Sequence, residues 1–214
     1  MTRPTLVFDF DGTVADTITA YGEAWNIAAE SMKLKQITPD EISRLRDQKP
    51  GDILRYLGLS KLRLPLAAKR MRQELNKNIE SLQYFPGMKK ALASLKTRYN
   101  SLGILTSNSK ENVTAFLKNR DLEVFDFIYS GSRIFGKSAV LKFLLKKHKL
   151  AAKDVVYICD EVRDIEAARK VKIKVVAVSW GFNSGLILEK ERPEALVHEP
   201  GELVEALEKV TRSF

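Results

Sequence analysis

Two aspartates near the start of this sequence have the spacing needed for catalysis on an anionic group. Asp9 and Asp11 follow the apolar residues Leu6–Phe8 and precede Gly12. Carboxylates at positions i and i+2 of a strand end can point to one side of it. Their mutual repulsion is relieved by a cation or by a raised pKa on one of them. Both remedies suit catalysis, because Mg²⁺ prefers carboxylate oxygens and a protonated carboxyl can act as an acid. An ordinary surface turn would not place the first aspartate directly after an apolar strand.

A second polar group follows the apolar run Leu102–Leu105. The hydroxyls of Thr106 and Ser107, with the free backbone amides of a strand-to-helix turn, can hold an anion. Asn108 or Ser109 can instead cap the following helix. A cap and an anion donor can be neighbours, so the two interpretations are compatible.

Two further groups hold charged side chains at predicted helix starts. Lys137 begins a helix, where the positive end of the helix dipole disfavours a cation, and this mismatch indicates an anion nearby. Asp160 and Asp164 follow the apolar run Val155–Ile158. Acidic residues in a first helical turn are ordinary capping. Together with Asp9, however, they would form a cage of oxygens suited to Mg²⁺.

The elements that must position these groups alternate along the chain. Short apolar runs separated by helical patterns predict an α/β fold with a doubly wound parallel sheet. Ligand sites in such sheets lie at the carboxyl ends of the strands, where all four groups fall. The predicted strands are Thr5–Phe10, Leu102–Thr106, Phe127–Ser130, Val155–Cys159 and Val175–Val178.

Residues 16–83 interrupt the alternation with helical periodicity alone. Helices packed directly on the sheet are one explanation, but crossovers in compact domains are usually shorter. We therefore predict an α-helical cap domain at 16–83, inserted into a core domain formed by 1–15 and 84–214.

Composition limits the classes of function. The chain has 214 residues and a net charge of +9, from 36 Lys and Arg against 27 Asp and Glu. The basic residues are dispersed over predicted helices, so we expect solvated helix faces and no nucleic-acid partner. The sequence contains no apolar stretch long enough to cross a bilayer and no signal-peptide pattern. With Cys159 as the single cysteine, a reducing cytoplasm is the expected compartment.

The four groups, in this order, resemble the motifs of the haloacid-dehalogenase-like hydrolase superfamily over the whole chain. Asp9–Val14 resembles motif I, Thr106 motif II, Lys137 motif III, and Asp160–Asp164 motif IV. The helical insert is similar to the C1 cap of the phosphoglycolate phosphatase and β-phosphoglucomutase group. The resemblance implies a Rossmann-like sheet in the order 3-2-1-4-5, counting predicted strands along the chain.

The resemblance also implies a mechanism. Asp9 would attack phosphorus and become an aspartyl-phosphate, while Asp11 would act as general acid and then as general base. Mg²⁺ would be held by the Asp9 carboxylate, the Asp11 backbone carbonyl and the Asp160 carboxylate. Asp164 would reach the metal only through water or another ligand. Thr106, Ser107 and Lys137 would hold the phosphoryl oxygens.

Two residues depart from the family pattern. Cys159 stands where many members have glycine, and it is expected to act as a small buried apolar residue. Asp47 occupies a cap-loop position that is often glycine. In the same loop, Arg46 and Lys49 are candidates to meet an anionic substrate tail, although exposed loop charges explain them equally well.

The expected activity is Mg²⁺-dependent hydrolysis of a small phosphomonoester such as phosphoglycolate or a sugar phosphate. Asp11 argues against a dehalogenase, which lacks a carboxylate there, but it does not separate a phosphatase from a β-phosphoglucomutase-like phosphomutase. A non-catalytic regulator that binds an anion or nucleic acid is a third alternative. The expected partner is a small phosphorylated metabolite, and the assembly a monomer or homodimer.

Overall fold

The computed structural model of the protein describes residues 3–77, 81–131 and 136–212, which form two sheets and ten α-helices. The strands are β1 (Thr5–Phe8), β2 (Ala15–Asp16), β3 (Gln83–Tyr84), β4 (Ser101–Thr106), β5 (Phe127–Ser130), β6 (Val155–Cys159), β7 (Lys174–Val178) and β8 (Ala195–Val197). The helices are α1 (Ile18–Met32), α2 (Pro39–Leu45), α3 (Pro50–Tyr56), α4 (Leu64–Lys77), α5 (Met88–Arg98), α6 (Lys110–Asn119), α7 (Gly136–His148), α8 (Val162–Lys170), α9 (Gly185–Lys190) and α10 (Leu203–Thr211). Short 3₁₀ turns precede β6 and α10.

Six strands form one parallel sheet in the order β5-β4-β1-β6-β7-β8. For the five predicted strands this order is the expected 3-2-1-4-5, so the predicted fold is confirmed. The first strand was predicted to reach Phe10 but ends at Phe8, although the Asp9 amide still donates to the Ile158 carbonyl at 2.8 Å. The sixth strand, β8, was not predicted.

Successive residues of the central strands face opposite sides of the sheet, as the pleat requires. Leu6 and Phe8 belong to the hydrophobic cluster under α5, α6 and α10, whereas Val7 belongs to the cluster under α7, α8 and α9. Val156 and Tyr157 in β6 divide in the same way. These strands are nearly all apolar because helices cover both of their faces.

Helices α1 to α4 fill the part of the chain between β2 and β3. Trp25 and Met32 of α1, with Leu57 and Leu59 from the segment between α3 and α4, belong to a third hydrophobic cluster. Helix α2 begins with a capping box at Thr38, and proline occupies the first turn of both α2 and α3. The insert therefore has a small core of its own.

The two ends of the insert pair with each other. Ala15 lies opposite Tyr84 in the antiparallel β2–β3 ladder, and Asp16 lies opposite Gln83. This two-stranded ribbon was not predicted, because two residues are too few for an alternating pattern to show. The ribbon holds the two ends of the helical insert side by side.

One glycine of the sheet is covered by an aromatic ring. Gly103 in β4 pairs with Phe127 in β5, and a Cβ built on Gly103 would lie 2.0 Å from the Phe127 ring. The ring thus packs on the space that the absent side chain leaves, a known way to support glycine in sheets.

We predict that Gly103→Ala lowers the free energy of unfolding by about 1–3 kcal/mol, because the added methyl overpacks the ring. In a Phe127→Ala background the same substitution should be neutral or slightly stabilising, since glycine in a strand interior is less stable than alanine. Urea denaturation of the four proteins measures this coupling. An equal loss of unfolding free energy in both backgrounds would show that the Phe127 ring is not the cause.

Candidate active site

Asp9 lies at the carboxyl end of β1 and is 4% exposed. One carboxylate oxygen accepts from the Phe10 amide at 2.8 Å, and the other accepts from the Lys137 ammonium at 2.5 Å. The carboxylate is therefore fixed in orientation at the edge of the sheet where sites are expected.

Lys137, in the first turn of α7, joins Asp9 to Asp164. Its Nζ lies 2.5 Å from one carboxylate oxygen of each. Burial lowers the pKa of Lys137, but the carboxylates of Asp164 and Asp9 outweigh it and raise that pKa above its usual value. The anion suggested by a lysine at a helix start is thus provided, within the protein, by two carboxylates.

Asp164 is fully buried in the first turn of α8. Burial raises its pKa to about 6, against the lowering effect of Lys137. Its second oxygen, Oδ1, has no hydrogen-bond partner among the described residues. A buried carboxylate oxygen without a partner is costly, unless a cation or water contacts it.

Asp160 directly follows β6 and is fully buried. It accepts from the Thr13 hydroxyl at 2.8 Å and from the Phe182 amide at 2.7 Å, one bond to each oxygen. Burial raises the pKa of Asp160 well above its usual value, and the charges of Glu161 and Asp9 add to the effect.

The turn after β1 requires glycine. Gly12 has φ +76°, and a Cβ there would lie 2.3 Å from an Asp160 carboxylate oxygen. The Val14 and Ala15 amides both donate to the Phe10 carbonyl at 3.0 Å, which closes the turn. Asp11 is 7% exposed within this turn and lines the same cavity as Asp9.

The end of β4 caps the following helix and contributes to the cavity that Asp9 lines. Ser109 caps α6 by accepting from the Asn112 amide at 3.1 Å, as one interpretation of the sequence expected. Buried Thr106 accepts from the Asn108 amide at 2.9 Å. Ser107 lines the cavity beside Asp9, whereas Thr106 is not part of the cavity lining found among the described residues.

The acidic cluster contains a residue that the sequence analysis did not single out. Single carboxylate oxygens of Asp9, Glu161 and Asp164 lie within 4.8 Å of one another, the one group of this kind found in the described ranges. Asp160 is not in that group. Glu161 follows Asp160 directly, and this position at the same strand end could have identified it as a candidate ligand. The interpretation of acidic residues there as helix caps obscured that signal.

The donor chemistry of this cluster fits a hard divalent cation. Its ligands would all be oxygens, as Mg²⁺ prefers. Among the described residues, the carboxylates of Asp9, Asp160, Glu161 and Asp164 outnumber the cations near them, Lys137 and the guanidinium of Arg163 that pairs with Glu161. Together with the unpartnered oxygen of Asp164, this excess of negative charge favours a bound cation.

Residues 6–178 match the sequence profile of the haloacid dehalogenase-like hydrolases. The chain belongs to this family. The prediction of a hydrolase of this family is thereby confirmed.

Full-length relatives of this hydrolase include phosphatases. The chain is 34% identical over 208 residues to the phosphoglycolate phosphatase of Synechococcus elongatus, covering 97% of this chain and 98% of that one. It is 28% identical over 214 residues to a phosphorylated carbohydrates phosphatase of Thermotoga maritima, covering 96% and 98%. A haloacid dehalogenase-like family protein from Streptococcus pneumoniae superposes with a TM-score of 0.81 at 26% identity, covering 95% of this chain and 97% of that one.

The hydrolase has a cavity of about 450 Å³ between the helical insert and the strand ends. Asp9 and Asp11 lie at its floor, and Arg46 lines it, whereas Lys49 is exposed and is not among the lining residues of the described chain. The described residues include no helix long and apolar enough to cross a membrane.

The loop after β7 joins the acidic cluster to the insert. Asn183 accepts from the Val162 amide at 2.9 Å and donates to the Arg46 carbonyl at 3.2 Å. The Arg46 guanidinium donates to the Ser179 carbonyl at 2.6 Å, and the Ser184 hydroxyl donates to Asp47. Arg46 and Asp47, in the loop between α2 and α3, thus contact the loop that also donates a hydrogen bond to Asp160.

Cys159 is fully buried at the end of β6, in the cluster under α7 and α8. Burial raises the pKa of its thiol well above the usual value. The expectation of a buried apolar role is met.

We predict that Thr13→Val lowers the free energy of unfolding by about 1–3 kcal/mol, because a buried Asp160 oxygen loses its hydroxyl donor. Thr17→Val is the matched control. Thr17 is equally buried, but its hydroxyl has no hydrogen-bond partner in the described structure, so its replacement should be close to neutral. Urea denaturation compares the two, and equal costs would show that the Asp160 bond is not the cause.

Proposed function

We propose that this hydrolase is a Mg²⁺-dependent phosphatase that cleaves a small phosphomonoester through an aspartyl-phosphate on Asp9. The observation that carries the proposal is the buried Asp9 carboxylate, oriented by Lys137 and facing the same cavity as Asp11. A relative that is 34% identical over nearly the whole chain and is called a phosphoglycolate phosphatase supports it.

In the proposed first step, an Asp9 oxygen forms a bond to phosphorus while the bond to the leaving oxygen breaks. Asp11 donates its proton to that oxygen, so the alcohol leaves neutral. In the second step, Asp11 takes a proton from water, and the resulting attack releases inorganic phosphate and restores the Asp9 carboxylate. The proton balance requires Asp11 to begin each cycle protonated.

Lys137 and the hydroxyl-bearing end of β4 would hold the phosphoryl oxygens. The Lys137 ammonium already contacts Asp9, so a phosphoryl group on Asp9 would lie within its field. Ser107 faces the cavity, and Thr106 orients the turn through its bond to the Asn108 amide. Such positioning and charge stabilisation provide most of the catalysis in phosphoryl transfer.

Asp9, the Asp11 carbonyl and Asp160 are the proposed metal ligands, with Asp164 acting through water. Glu161 is an additional candidate, because its carboxylate lies close to those of Asp9 and Asp164. When bound, Mg²⁺ would neutralise charge on the transferring group.

We further propose that residues 16–83 form a cap domain over a core domain of 1–15 and 84–214. The separate hydrophobic cluster of the insert and the paired strands at its two ends support this division. A cap over the cavity would limit the access of bulk water. We propose the cytoplasm as its compartment, since one cysteine cannot form an internal disulfide, and a monomer or homodimer as its assembly.

We predict that Asp9→Asn abolishes Mg²⁺-dependent phosphate release, because the amide is a poor nucleophile. Initial rates on p-nitrophenyl phosphate, 2-phosphoglycolate and a panel of sugar phosphates, with Mg²⁺ or with a chelator, measure this. Asp16→Asn, an exposed aspartate of β2, is the control and should retain wild-type rates. Phosphate release by Asp9→Asn at the wild-type rate would refute the assignment of Asp9 as the nucleophile. Conversion of a sugar phosphate to an isomer without free phosphate would indicate the phosphomutase.

For Asp11→Asn, we predict a rate loss of about 10²–10⁴-fold, the usual worth of a general acid or base. The loss of kcat/KM should be smaller for p-nitrophenyl phosphate, whose leaving group needs little protonation, than for an alkyl phosphate. Rapid acid quenching and intact mass measurement should then show one added phosphoryl group on the protein during p-nitrophenyl phosphate turnover. Equal losses of kcat/KM on both substrates would contradict the assignment of Asp11 as the acid, because kcat/KM reports the step that releases the alcohol and not the later hydrolysis of the phosphoenzyme.

A further inference from the structure

The part of the cavity formed by the helical insert is apolar. Ile42, Ile53, Leu54, Met71 and Leu75 all line it, from α2, α3 and α4. Neither α2 nor α3 has a fully buried residue, so their apolar side chains are covered only in part by other protein groups. These helices therefore present an unfilled apolar surface to the space above the catalytic carboxylates.

The apolar region and the carboxylates belong to one continuous cavity. Asp9, Asp11, Ser107 and Asn108 line its floor. A phosphoryl group in contact with Asp9 would direct its ester oxygen, and the organic group attached to that oxygen, away from the sheet and toward the insert. The organic group of a substrate is thus the natural occupant of the apolar region.

Three arginines line the cavity, where apolar side chains outnumber them, and one of the three, Arg163, is already paired with a carboxylate. The Arg46 guanidinium donates to the Ser179 carbonyl, and Arg163 is paired with Glu161. Arg72 lies on an exposed position of α4. The volume, about 450 Å³, is also that of a site for a larger ligand, since such sites span about 300–1,000 Å³.

We propose that the preferred substrate is a phosphomonoester whose organic group is largely apolar and larger than glycolate, seated among α1 to α4. This inference rests on the proposed phosphatase function, and it names the substrate class of the same site. Burial of each methylene of such a group stabilises the complex and its transition state by the hydrophobic effect.

The test is a series of primary n-alkyl phosphates from methyl to octyl, with 2-phosphoglycolate alongside. Their leaving alcohols differ little in acidity, so differences in kcat/KM report contacts between the protein and the alkyl group of the substrate. We expect kcat/KM to rise about fourfold per methylene until the cavity is filled, and hexyl phosphate to exceed 2-phosphoglycolate. No rise with chain length, or a preference for 2-phosphoglycolate over hexyl phosphate, would overturn the proposal.

Two variants in α4 test where in the cavity the alkyl group binds. Ala68 lines the cavity, whereas Leu66 does not and is 46% exposed. We expect Ala68→Phe to lower the ratio of kcat/KM for hexyl to methyl phosphate at least about tenfold, because its ring fills space needed by the chain. Leu66→Phe should leave the ratio unchanged. Equal ratios in both variants would show that the alkyl group binds elsewhere, and would contradict its assignment to the apolar part of the cavity.

The two hypotheses fail differently. If wild-type protein with Mg²⁺ releases phosphate from no monoester, the phosphatase function itself is wrong. If it hydrolyses methyl phosphate and 2-phosphoglycolate without gain from longer chains, only the substrate class is wrong. The wild-type series decides this even if Ala68→Phe does not fold.

Discussion

Repulsion among carboxylates is the constraint on which the site depends. Asp9, Asp160 and Asp164 are buried together at the carboxyl edge of the sheet, where charged forms are costly. Lys137 bridges two of them, and the third is held by the Thr13 hydroxyl and the Phe182 amide. Such an arrangement favours positive charge wherever it can enter, whether as an ammonium group, a metal ion or a proton. The surrounding turns, with glycine where a side chain would collide with Asp160, serve to hold this concentrated charge in place.

Much of the fold could be predicted because its signals are local. Strands covered on both faces are nearly all apolar, so β1, β4, β6 and β7 were visible in the sequence, and the parallel order followed from the resemblance. The strand β8 was missed because three residues at a sheet edge carry no periodic pattern. The β2–β3 ribbon was missed for the same reason, and because its partners are distant in sequence.

For the site, the sequence located the acidic residues but not their partners. Asp9, Lys137 and Asp164 were singled out from residue type and position, and the structure brings them together. That Glu161 joins them, while both oxygens of Asp160 accept hydrogen bonds from Thr13 and Phe182, depends on side-chain directions that spacing does not fix. The part played by Asn183 could not be foreseen either, because it joins three separate segments of the chain.

The paired ends of the insert have a consequence for how such enzymes diversify. Because Ala15 and Tyr84 are neighbours in a ladder, the core chain leaves and returns at almost one point. A segment of any length placed between them adds little strain to the sheet, since the cost of closing a loop grows only slowly with its length. The helical insert could therefore be exchanged as a unit without moving the acidic residues at the strand ends.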